Sequence, residues 1–296
     1  MAAVAVRQAP RPTLRTRMGR SFPYLLLFPG LFWLVLFYVI PAIQMFTYSI
    51  SEGSIEEGYT MTWTLDAYIE GLSKFGPQFF NSILYGGLAT ILTLAIGFPV
   101  AYMIAFRGGT RKNLLLFLVI APFFTSFLIR TISWKILLGP EGPLIGPLKA
   151  IGLLPGAFDI LNTPVSQLAG LTYNFLPFMI LPLYVALEKI DLRLIEAAED
   201  LYADRRAAFR RVTLPLSLPG VFAGSLLTFI PAMGDYINAE LLGNPQTKMI
   251  GNVIQNRLLV QNDYPVGSAL SFILMAAILI AVFIYARALG TEQLTG

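Results

Sequence analysis

Histidine and cysteine are both absent from the 296 residues, and charge is scarce, with Asp, Glu, Lys and Arg making up 13% of the chain. Without imidazole or thiol there is no His or Cys metal site, no disulfide and no His-based proton relay. An intramembrane hydrolase built on those groups has no place here. The chain also lacks a G-x-x-x-x-G-K-[ST] string; Gly108-Gly109-Thr110-Arg111-Lys112 has the wrong spacing and reads as a basic turn. If ATP drives this protein, another chain binds it. No metal or cofactor site is expected in this chain, and low-complexity stretches and obvious internal repeats are missing too.

Apolar residues dominate. They make up 56% of the sequence, at a mean hydropathy of +0.67, too much for a soluble domain of this length. A bilayer span needs about 20 mostly apolar residues. Six segments qualify, at about 23–48, 80–106, 113–137, 165–187, 216–242 and 266–289. They are too long, and too little alternated, for barrel strands. The expected fold is an all-α integral membrane bundle of six transmembrane helices over 22–296, preceded by a basic tail over 1–21. A signal peptide is the alternative for the first segment, but its apolar run exceeds the 7–15 residues of such a region.

Basic residues set the orientation. Arg7, Arg11, Arg15, Arg17 and Arg20 precede the first span without an acid. Arg107, Arg111 and Lys112 follow the second, Lys189, Arg193, Arg205, Arg206, Arg210 and Arg211 follow the fourth, and Arg287 ends the sixth. That distribution predicts cytoplasmic N- and C-termini in a multi-pass membrane protein. The stretch from Ser51 to Gln78, with Lys74 against five acids, reads as an external loop. Pro and Gly interrupt the spans at Pro29-Gly30, Pro41, Gly97, Pro99, Pro122, Pro177, Pro182, Pro219-Gly220 and Pro231, as in a bundle that encloses a cavity.

Between the fourth and fifth spans lies a charged island, 188–215. Asp191 is placed to cap a short helix from Leu192 to about Leu201, and Asp204 a second one through Arg211. Ala197 and Ala198 leave room for a partner backbone, Leu194, Ile195 and Leu201 offer apolar contact, and Glu196, Glu199 and Asp200 offer charge. The bland alternative is a solvated amphipathic loop. The order Glu196-Ala197-Ala198, Asp200-Leu201-Tyr202-Ala203 and Val212-Thr213-Leu214-Pro215 resembles the ATPase-docking loop of permease subunits in ATP-binding-cassette (ABC) importers. That resemblance implies a type I ABC importer permease fold with a cytoplasmic coupling helix between helices 4 and 5, carried here by Glu196, Ala197, Ala198, Asp200, Leu201, Tyr202, Ala203, Leu214 and Pro215. The family has Gly where this chain has Tyr202. Either the turn is displaced toward Ala203-Asp204, or the break is less sharp, or Tyr202 is an apolar knob for the ATPase.

Further landmarks resemble permeases for spermidine and putrescine: Tyr24 to Ser51, Trp63 to Tyr68, Asn81-Ser82, Pro122 to Thr131 with Trp134, and Pro231 to Tyr236. This resemblance implies two ATP-binding subunits that hold ATP and Mg, a second homologous permease, an extracytoplasmic binding protein, and no enzymatic activity in this chain. A cationic cargo calls for carboxylates or aromatic faces along its path. Asp235, Tyr236 and Glu240 follow the breakers Pro231 and Gly234, with Trp134, Tyr173 and Tyr85 as weaker candidates. Asp235 facing outside water at a helix end is the alternative. Arg130 and Lys135 are expected to snorkel to the interface. A permease for a sugar or another small solute, and a lone ion-coupled carrier, are the competing functions; a lone carrier has no use for an ATPase-docking loop.

Overall fold

The structure, a computed structural model, describes residues 26–289 and the side chains of 26–287. The tail over 1–21 and its five arginines lie outside the described residues. Among those described, the elements are helix α1 (Leu26–Ser49), strands β1 (Ser51–Ser54) and β2 (Gly58–Met61), then helices α2 (Asp66–Tyr102), α3 (Lys112–Ile120), α4 (Phe127–Leu138), α5 (Ile145–Ala150), α6 (Pro164–Glu188), α7 (Leu192–Asp200), α8 (Arg205–Ala208), α9 (Leu214–Met233), α10 (Ile237–Leu241), α11 (Ile250–Leu259) and α12 (Tyr264–Leu289). Five helical stretches are long and apolar enough to cross a membrane, and a sixth if the bent pair α3–α4 is one span.

Proline marks several of the places where these helices depart from α geometry, although a third π-turn, Met103–Arg107, precedes none. Wide π-turns at Val35–Val39 and Phe209–Thr213 stand just before Pro41 and Pro215, whose rings clash with the preceding turn and which donate no N–H. Phe75, two residues before Pro77, has non-helical φ/ψ and kinks α2. Pro122 sits in a tight turn, Ala121–Phe124, after which Thr125 and Ser126 are extended and the chain turns by 93° into α4.

Three boundaries differ from the sequence expectation. The second span begins at Asp66 rather than near 80, because the polar first turns of α2 continue an apolar helix; the expected external loop is therefore a hairpin, Ser51 pairing with Met61, followed by that helix. The third is bent. The fifth ends at Met233, and Asp235 opens a separate short helix by capping it.

The core is α2, α6 and α9, mutually packed. Ala101, Ile104 and Ala105 meet Met179, Ile180, Leu183 and Leu187 at one level, and Tyr85 and Ala89 meet Leu171, Phe175 and Ala232 at another. Close approach of α9 to α6 depends on Gly220-x-x-x-Gly224. A Cβ on Gly220 would stand 2.5 Å from Ala186 Cβ and 2.8 Å from Pro182 O, and one on Gly224 would stand 2.8 Å from Met179 Sδ. At one end of the bundle, Lys112 Nζ meets both Glu188 carboxylate oxygens at 2.8 Å, four residues before α7. The β-hairpin precedes α2 at the opposite end, where Tyr59 donates to Asn262 O (2.7 Å) and Asn81 Nδ2 to Gln246 O (2.8 Å) and Lys248 O (2.9 Å).

Candidate functional site

Two places gather the polar residues, and they lie toward opposite ends of the bundle. The first is α7 with its flanking turns. Asp191 accepts from the Arg193 N–H (3.0 Å) and Asp204 from the Ala207 N–H (2.8 Å), so both expected caps form. The first helix ends at Asp200. The second does not stop at Arg211: α8 runs through the π-turn into α9, so α7 is joined directly to a core span.

Tyr202 carries the turn itself. Its φ is +62°, and the Tyr202 N–H donates to Glu199 O (3.0 Å) while the Ala203 N–H donates to Ala198 O (3.1 Å). These two bonds make a Schellman cap with Tyr202 as the left-handed residue. The turn is not displaced, and the break is sharp. Tyrosine there costs about 1–2 kcal/mol that glycine would not. The side chain recovers none of it within the chain, being fully exposed, and Leu201 beside it is 82% exposed. Glu196, Ala197 and Asp200 are exposed too, as are Leu214 and Pro215, whereas Ala198 and Ala203 are half-buried. Ile195 is the anchor, packed against the α2–α6 core. A groove of about 840 Å³ runs from this helix between α6 and α9, lined by Lys189, Asp191, Leu194, Leu216, Pro219 and Gly220.

The second place is a buried polar chain. Asn174 Nδ2 donates to Thr131 Oγ1 (3.0 Å) and to Asn238 Oδ1 (3.1 Å); Asn238 in turn donates its N–H to Asp235 Oδ1 (2.7 Å) and its Nδ2 to Asp235 Oδ2 (3.2 Å). α4, α6 and the α9–α10 turn are thereby tied together. Asp235 is 7% exposed, which overturns the alternative that it faces outside water: the α9 helix ends before it, and the turn folds its carboxylate inward to cap α10. Glu240 lies outward instead. It accepts from Asn252 Nδ2 (3.0 Å), which also donates to Tyr236 O (3.0 Å), and stands 3.6 Å from Lys248 Nζ. Trp134 and Tyr173 pair with ring centres 5.4 Å apart, both half-buried. Tyr85 belongs to the α2–α6–α9 core.

Sequence reasoning placed Arg130 at the interface. It is instead buried, with its guanidinium over the rings of Phe123 and Phe127, because the 93° turn folds those two rings around it. Asn174, Asn238 and Thr131 went unnoticed. Their signal was present, as uncharged polar residues inside or beside apolar runs.

Comparison with known proteins agrees with this architecture. Residues 94–290 match the family described as binding-protein-dependent transport system inner membrane component. The spermidine/putrescine transport system permease protein PotB of Haemophilus influenzae is 41% identical over 257 residues, 86% of this chain and 90% of that one. PotB of Escherichia coli is 37% identical over 260 residues, covering 86% and 94%. The inner membrane ABC transporter permease protein YdcU of E. coli is 31% identical over 252 residues, 79% and 80%. Among solved structures, a chain of a bacterial ABC transporter involved in import of the acidic polysaccharide alginate superposes with a TM-score of 0.76 over 96% of this chain and 99% of that chain, at 19% identity, a likeness of fold. The polytopic α-bundle is the fold shared with that transporter chain, and the family match and the two PotB relatives show that the chain belongs to the inner-membrane permease components of binding-protein-dependent transport systems.

Proposed function

We propose that this chain is one of two permease subunits of an ATP-driven importer of polyamines, spermidine and putrescine in class. The observation that carries the cargo assignment is the identity of 41% and 37% with two permeases named for those polyamines, over nearly their whole length. The buried carboxylate of Asp235 at a span break is the feature of the chain that suits a cation. ATP is hydrolysed on two partner subunits, on which α7 docks through Leu201, Tyr202 and the small face at Ala197 and Ala198. Their closure moves α7, and α7 moves α9 through the continuous α8 segment. The end bearing α7 is cytoplasmic, as the basic residues around it indicate, and the hairpin end receives cargo from an extracytoplasmic binding protein. Asp235 is the cargo ligand of the path, with the Trp134–Tyr173 pair as its aromatic wall. Tyr236 and Glu240 stand at its rim.

The alternative cargo, a sugar or other neutral solute, makes Asp235 only a helix cap. Asp235→Asn separates the two, because Asn retains the Oδ1 acceptor for the Asn238 N–H while removing the charge. A carboxylate close to an ammonium contributes on the order of 1–4 kcal/mol between aqueous and protein-surface dielectrics. In the assembled four-subunit complex with its binding protein, spermidine uptake is expected to fall about tenfold or more, and further than putrescine uptake. Unchanged uptake of both at equal complex levels would refute the role of Asp235.

A further inference from the structure

Arg130 is 9% exposed, its guanidinium carbon lies 4.9 Å from the ring centre of Phe123 and 5.6 Å from that of Phe127, and Nε and Nη1 are buried without an acceptor. Aromatic faces attract a cation but do not replace two missing hydrogen-bond acceptors. Asp235 is in the complementary condition. Its carboxylate is held by the amide groups of Asn238, and among the described residues no basic group stands within ion-pair distance of it.

The two charges sit on neighbouring elements, since α4 packs against α10. Thr131, next to Arg130, begins the hydrogen-bonded chain that ends on Asp235, and within that chain Asn174 Oδ1 is buried without a donor. Each charge also lies at a break. Arg130 is four residues past the extended Ser126, and Asp235 is in the turn between α9 and α10. Two opposite charges buried apart are each costly, and bringing them together offsets part of both costs. The span breaks give α4 and the α9–α10 turn freedom to do so without unwinding a long helix.

We infer that Arg130 is the resident counter-cation of Asp235: it neutralises that carboxylate in the cargo-free part of the transport cycle, and an ammonium group of the polyamine takes its place. Arg130 is thus a specificity-determining residue, setting the attraction a cargo cation must exceed. This rests on the polyamine reading.

The test measures KM for putrescine uptake in the complete complex with its binding protein. Arg130→Gln, which frees Asp235 from its competitor, is expected to lower KM at least threefold, while Arg130→Lys stays within about twofold of the parent. In the Asp235→Asn background, Arg130→Gln should have no further effect. An unchanged or raised KM in intact Arg130→Gln complex overturns the inference, as does an equal fall in KM in the Asp235→Asn background. If Arg130→Gln does not assemble, restoration of the complex by adding Asp235→Asn supports the pairing, and failure of the double variant overturns it. Should the parent complex import neither spermidine nor putrescine, the polyamine reading fails, and the pairing is then judged without cargo.

Discussion

Replacing Tyr202 by glycine should make the α7 turn more stable, although the substitution removes an entire aromatic side chain. Tyr202 has φ +62° and closes a Schellman cap through two backbone bonds, to Glu199 O at 3.0 Å and to Ala198 O from the next residue at 3.1 Å. Relief of the left-handed conformation returns about 1–2 kcal/mol. The added freedom of glycine in the unfolded segment takes back about 0.5–1 kcal/mol. Nothing is lost from packing, because the side chain is fully exposed. The balance is a gain of about 0–1.5 kcal/mol, centred near 0.8 kcal/mol, a factor of about four in the opening equilibrium of the turn. Hydrogen exchange of the Ala203 amide, followed by mass spectrometry on the purified chain, reads that factor directly as slower exchange in Tyr202→Gly. Faster exchange in Tyr202→Gly would refute the strain argument. The same variant carries a second measurement: if Tyr202 is a knob for the ATPase, Tyr202→Gly weakens assembly with the ATP-binding subunits while its turn is more protected, and no loss of packing inside this chain can be blamed for it.

Two further outcomes are expected. Gly224→Val places carbon where Met179 Sδ already stands 2.8 Å from an ideal Cβ, so α9 must move off α6; the melting temperature of the detergent-solubilised chain should fall, whereas Gly87→Ala, with nothing within 4 Å, should leave it unchanged. Asp204→Ala removes the side-chain acceptor of the Ala207 N–H, a loss of about 1 kcal/mol at that helix start, seen as a roughly fivefold rise in exchange of the Ala207 amide, with exchange in the α6 core unaltered.

What the sequence made legible followed from one-dimensional signals. Apolar runs longer than a bilayer is thick located the five long spans and the bent pair α3–α4, and Asp191 and Asp204 located both helix starts because a cap acts on amides only two or three residues away. The strained turn was half legible. A family pattern that has Gly at position 202 pointed to a left-handed residue, but only the two hydrogen bonds converging on Glu199 and Ala198 decide between a displaced turn and a strained one. The 93° bend was not legible at all. Pro122 gave notice of a break, but a proline permits a kink without setting its angle, and that angle depends on extended Thr125 and Ser126 and on the packing of α4 against α6 and α10.

The interface placement of Arg130 and the outward-facing alternative for Asp235 failed for the same reason. Hydropathy treats a charged residue near the end of an apolar run as a residue at the water boundary, which is correct when the span is straight. In this chain the runs around both residues are broken, α3–α4 after Phe124 and the fifth span after Met233, so the ends of the apolar runs turn back into the bundle instead of leaving it. The breaks carry the charges inward, and the uncharged polar residues opposite them, Thr131, Asn174 and Asn238, supply hydrogen bonds that a lipid-facing helix end would not need. Asn174, the member of that network on unbroken α6, bridges Thr131 on α4 to Asn238 on α10, so the rigid span holds in place the two short elements beside which the charges lie.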